Sequence, residues 1–168
     1  IEPHNAGISG TLEVCQNNVS NPINLFDHLG GTPETIGSWT GPLPTTAGYI
    51  GTIDPSTLTV SGSPYTFTYT VSSATCASAT ATVTINVLPL PVAAVSSNTI
   101  ICSGDSATVT FSGTPNATVN YTVNAGAEQS ILLNSSGIAS FTDVYTSTTT
   151  IALVSVVSSN TTICTAPQ

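Results

Sequence analysis

The chain contains no lysine and no arginine. Its eight acidic residues therefore stand unopposed, with a formal charge of −8 and a pI of about 4.1. A surface without cations has nothing to neutralise phosphates, which argues against nucleic acid as a partner and against anionic membrane surfaces. The missing lysine also removes Schiff-base chemistry, the lysine of a phosphate-binding loop and isopeptide cross-linking. Long apolar runs are absent too. The most apolar stretch, residues 87–95, is nine residues long and contains Pro89 and Pro91, against about 20 for a membrane-spanning helix, so membrane insertion is not expected. Catalytic side chains are scarce: two histidines, His4 and His28, no GxSxG elbow around any of 22 serines, and acids scattered singly. Neither an enzyme nor a bound cofactor is expected. Asp27-His28 could form half of a metal site but reads as a solvated loop pair, and no calcium loop is present.

Hydroxyls are what the chain has in abundance. There are 30 Thr and 22 Ser, so 52 of 168 residues carry one. Hydrophobic residues make up 40% and mean hydropathy is +0.31, which argues against disorder. Val, Ile and Leu interleaved with Thr suit a pleated, half-buried surface.

Four cysteines, Cys15, Cys76, Cys102 and Cys164, are separated by 61, 26 and 62 residues. Read as a repeat, Cys15 maps to Cys102 at an offset of 87 and Cys76 to Cys164 at 88, which predicts two similar units. Of three connectivities, one bond per unit is preferred, Cys15–Cys76 and Cys102–Cys164, each closing a long loop worth roughly 4 kcal/mol in the chain-entropy model. Disulfides imply an oxidising compartment, and the wide spacing does not suit zinc. The boundary is placed at Leu88-Pro89-Leu90-Pro91, where alternate prolines favour a stiff, extended segment. The expected organisation is a domain over 1–88, a proline linker over 89–91 and a second domain over 92–168.

Strand signals recur at sandwich spacing. Residues 65–71 (YTFTYTV) alternate strictly, with aromatics and Val on one face and Thr on the other. Residues 81–87 (ATVTINV) do the same, and the two read as a hairpin with Cys76 in its connection. The pattern returns at 107–111 and 119–123. The strand at 151–157 is apolar on both parities, so its faces cannot be assigned. One helical candidate, residues 24–29, is stopped by Gly30-Gly31. The fold class expected is all-β, two tandem Ig-like antiparallel sandwiches. Adding 88 to the strand after Cys76 puts its counterpart at 167–175, beyond Gln168. The second domain is therefore expected to lack its last strand, because the piece is cut from a longer protein or because a neighbouring chain supplies the strand.

Two positions carry weaker signals. Trp39, the single tryptophan, would serve as a sugar-stacking platform on an exposed loop, or pack in a sandwich core. Asp105-Ser106-Ala107 has the Asp-Ser/Thr-small pattern of bacterial O-glycosylation, which makes Ser106 a candidate acceptor; a turn before the next strand explains the Asp equally well.

The run NLFDHLGG at 24–31, with Thr32-Pro33-Glu34, Ser38-Trp39-Thr40-Gly41-Pro42 and Ile53-Asp54-Pro55, resembles repeats of very large Bacteroidetes surface proteins. The second unit, through Ile101-Cys102-Ser103-Gly104-Asp105-Ser106 and Gly113-Thr114-Pro115, is similar to the Ig-like or PKD-like repeats of the same proteins. The resemblance covers nearly all of the chain. It implies export by the type IX secretion system, an extracellular cell-surface location, and a role in adhesion or gliding motility. The expected function is a structural spacer or stalk within a long adhesin or filament, with neighbouring repeats as partners. A carbohydrate-binding module recognising surface glycans is one alternative, and a filament subunit that pairs with other copies by strand addition is another.

Overall fold

The computed structural model describes residues 3–17, 21–74, 76–97 and 100–168. The chain divides into two compact units, Ile1–Pro89 and Leu90–Gln168, built almost wholly from strands.

In the first unit, a four-stranded sheet has the order β1-β6-β5-β3. Its strands are β1 (Gly10–Cys15), β3 (Ser38–Thr40), β5 (Tyr65–Val71) and β6 (Ala79–Leu88), and a short pair, β2 (Ile23–Asn24) with β4 (Thr52–Ile53), lies outside it. The period-two pattern sets its faces: Tyr65, Phe67, Tyr69 and Val71 point inward from β5, and Ala81, Val83, Ile85 and Val87 from β6. They meet across the ladder as Tyr65↔Ile85, Phe67↔Val83 and Tyr69↔Ala81. The second layer is irregular: Leu25, Ile53 and Leu58 close the core from β4, loops and short 3-10 turns. This departs from the expected sandwich of two full sheets. The helical candidate is a single 3-10 turn, Leu25–His28. Asp54 behaves as turn chemistry predicts, its Oδ1 accepting from Ser56 N at the start of the Pro55–Thr57 turn.

The second unit is a two-sheet sandwich. One sheet has the order β11-β8-β7 and the other β10-β9-β12-β13. The strands are β7 (Ala93–Ser97), β8 (Ser106–Gly113), β9 (Thr118–Val123), β10 (Glu128–Leu132), β11 (Ile138–Val144), β12 (Ile151–Val157) and β13 (Thr165–Pro167). Val109 and Phe111 from one sheet face Val119, Tyr121 and Val156 from the other, with Leu133 between. The ring centroids of Phe111 and Tyr121 lie 4.9 Å apart. β12 is apolar on both parities because its register against β9 shifts between Leu153 and Ser155. A bulge resets which parity faces inward, so Ile151 and Leu153 pack on the core before it and Val156 after it.

One expectation needs correcting. The second unit does have a last strand, β13, antiparallel to β12 over Ser155↔Pro167 to Val157↔Thr165. The cysteine offset misplaced it by two residues. Both closing hairpins have connections of equal length, 72–78 and 158–164, so the counterpart of Ala79 is Thr165. β13 covers three residues of β12, whereas β6 covers all seven of β5.

Candidate functional site

The expected pairs Cys15–Cys76 and Cys102–Cys164 do not form. Cys15 and Cys164 are disulfide-bonded, and Cys102 is an exposed free thiol. Strand direction is the reason. β1 runs parallel to β6, so Cys15 sits opposite Leu88, where β6 ends, while Cys76 lies in the turn where β6 begins. About 30 Å of strand separates those ends, against the roughly 7 Å Cα separation a disulfide tolerates. In the second unit, Cys102 precedes the start of β8 at Ser106. Cys164 lies at the other end: Ser158 N donates to its carbonyl, and Val157 pairs with Thr118, just past the turn that ends β8. Cys15–Cys76 and Cys102–Cys164 are both ruled out by geometry. Within each unit the two cysteines mark opposite ends.

Trp39 is no platform. β3 pairs with β5 at Trp39↔Tyr69, and alternation along the strand turns the indole inward, where the residue is 8% exposed. Its Nε1 donates to Tyr49 O at 2.8 Å, and its ring lies 5.0 Å from that of Tyr69. Gly51, with φ +61, passes so close that a Cβ would strike the indole. Trp39 therefore does not meet the expectation of a glycan contact. Tyr69 is fully buried; its hydroxyl donates to Glu34 O at 2.6 Å and accepts from Gly37 N at 2.9 Å. Desolvation raises its phenol above the ordinary value.

Ser106 opens β8 and is exposed, beside Asp105, whose N donates to Cys102 O and whose carbonyl accepts from Tyr145 N. The Asp105 backbone thus holds the turn, and Ser106 is exposed. Asp27 accepts from Asn24 Nδ2 at 3.4 Å. Among the described residues no three His, Cys, Asp or Glu side chains converge in a way that could hold a metal. Glu34 is the most engaged carboxylate: it accepts from Asn5 N at 2.7 Å and lies 3.2 Å from His4 Nδ1. The Asn5 amide, reinforced by His4, holds its carboxyl below the usual glutamate range.

Sequence reasoning missed a concavity in the second unit. A cleft of about 480 Å³ runs between residues 95–97 and 100–103 on one side and residues 145–149 and Ile151 on the other, with Ala107 and Val109 of β8 beneath. Among the described residues no acid or histidine lines it. Burial raises the Tyr145 phenol above its ordinary value, and Asp143 adds to the shift.

No protein-family model matches the chain, and no curated protein matches it either. Fold and geometry define it as an all-β, disulfide-containing chain of two sheet-based units.

Proposed function

We propose that this chain is a pair of structural repeats, a spacer or stalk within a long extracellular surface adhesin or filament, with neighbouring repeats of the same protein as its partners. The observation that carries the reading is one closing hairpin used twice: β5–β6 and β12–β13 share their direction and their connection length. The disulfide-bonded Cys15 and Cys164 suit an oxidising environment. Threonine ladders coat the outer faces, with Thr66 and Thr84 hydroxyls 3.3 Å apart and Thr108 and Thr142 2.8 Å apart. Type IX export, service to gliding motility and O-glycosylation at the exposed Ser106 belong to the same reading, supported by the motif resemblance.

A domain swap tests the role. A spacer is replaceable: in the surface protein that carries these units, an unrelated two-domain segment of similar length should preserve adhesion. Loss of adhesion on replacement, with surface display intact, would show that the units recognise something themselves.

A further inference from the structure

We propose that Ser73, His4 and Glu34 of the first unit form a nucleophile–base–carboxylate triad, a site for acyl transfer from neutral carboxylic esters that carry a small acyl group. The inference goes beyond the spacer role and does not depend on it.

Glu34 and Ser73 lie 30 and 69 positions from His4 in the chain, and the fold brings all three together. His4 stands between the other two. Its Nδ1 lies 3.2 Å from Glu34 Oε2, and its Nε2 lies 2.9 Å from Ser73 Oγ. A carboxylate only accepts, so in the neutral imidazole the proton sits on Nδ1. Nε2 is then the acceptor, and the Ser73 hydroxyl donates to it. In this arrangement an imidazole can draw the proton from a serine as its oxygen attacks.

The triad is braced. Asn5 N donates to Glu34 Oε1 at 2.7 Å, and Glu34 N donates to Asn5 O at 2.9 Å. This pair of bonds locks the segment that carries His4 to the loop that carries Glu34. The buried Tyr69 hydroxyl in turn holds the Glu34 carbonyl. The His4 side chain is 11% exposed, whereas Ser73 lies exposed in the connection between β5 and β6. The base is thus shielded and the nucleophile open.

In the reaction, Ser73 Oγ bonds to the ester carbonyl carbon while His4 Nε2 takes the hydroxyl proton. The bond from that carbon to the alcohol oxygen then breaks, and His4 gives the proton to the departing alkoxide. Water repeats both steps on the acyl-serine, which releases the carboxylic acid and restores Ser73. Among the described residues no hydrogen bond engages the N–H of Ser73 or of Ala74, so both are available to the developing oxyanion. The surroundings choose the substrate. Residues 72–74 are all exposed, so the serine meets its ester at the surface, where a small acyl group suffices. With Glu34 adjacent and no Lys or Arg in the chain, an anionic ester meets repulsion and no counter-charge.

The test uses the full chain and a fluorophosphonate probe, which phosphonylates a serine activated by an adjacent base and loses fluoride. Mass spectrometry of a peptic digest should place the adduct on Ser73 alone among the 22 serines. Ser73→Ala changes an exposed side chain, so the loss of labelling expected from it does not report misfolding. His4→Ala should slow labelling roughly a hundredfold, and added imidazole should restore part of the rate. Glu34 acts through His4 as a positioning residue. With p-nitrophenyl acetate, Glu34→Gln should lower kcat roughly tenfold or more and leave KM unchanged. An acetyl ester should turn over faster than the corresponding anionic succinyl ester. Absence of an adduct on Ser73, adducts scattered over many serines, or a labelling rate indifferent to His4→Ala overturns the proposal; the three residues then serve only to tether His4 and Asn5 to the unit.

Discussion

At the scale of single residues, the first unit is held by a few side chains with two duties. The Tyr69 ring packs edge-on against Phe26 and tilted against Trp39, while its hydroxyl ties together the loop of Glu34 and Gly37. Tyr69→Phe keeps the ring and strands a buried amide and carbonyl, so it should cost about 1–3 kcal/mol. Urea unfolding followed by Trp39 fluorescence should show a lower midpoint with an unchanged slope; an unchanged midpoint would mean that the hydroxyl is dispensable. Glu34 gives a pH signature. Its folded pKa is lowered from the ordinary 4.5 by the Asn5 amide and His4. Its contribution is therefore fully present above that ordinary value and fades as pH falls through the lowered one. The stability difference between wild type and Glu34→Gln should be largest above pH 4.5 and shrink on acidification. A difference constant down to pH 2 contradicts this account.

At the scale of elements, the most legible features were those with strict alternation. Residues 65–71 were readable as a strand because every second residue is aromatic or Val, and β5 has those bounds. β6 followed in the same way, extending two residues before and one residue after the clearest part of the pattern. β3 is only three residues long and β10 has mostly exposed side chains, so neither leaves a periodic signal. The faces of β12 were unreadable because a bulge breaks parity in the middle of the strand. The parallel pairing of β1 with β6 left no mark at all, since β1 alternates as an antiparallel strand would. β6 is central, paired on both edges, and cannot spare an amide. Val83→Pro should abolish the cooperative transition seen by Trp39, the single tryptophan, which lies in the first unit. A retained Trp39 transition would show that β6 is less essential than its position implies.

At the scale of the whole molecule, cysteine spacing led to a bonding pattern that the strands forbid, because separation along a chain carries no information about which end of a sandwich a loop occupies. Thiol chemistry checks the outcome. Without reductant, a maleimide should label Cys102 in the folded protein and leave Cys15 and Cys164 unmodified; labelling of either of those two would refute the assignment. Composition makes a second statement at this scale. With no Lys or Arg, the chain should survive trypsin even when unfolded in urea, so electrophoresis after overnight digestion should show one intact band. A less selective protease should cut first near residues 88–92, and early cleavage within β5 would contradict the buried ladder there.

The parallel ladder of β1 on β6 has a mechanical consequence. Gly10 faces Val83 and Cys15 faces Leu88, so the chain enters β1 at one end of the ladder and leaves β6 at the other. Tension applied at the two ends of the first unit would drag these strands past one another lengthwise. The hydrogen bonds of all six residue pairs would then bear load together, where a hairpin pulled from its open end yields one bond at a time. In an optical trap the first unit should accordingly resist until a single abrupt rupture, and a proline placed at Leu12 should turn that rupture into gradual yielding at lower force.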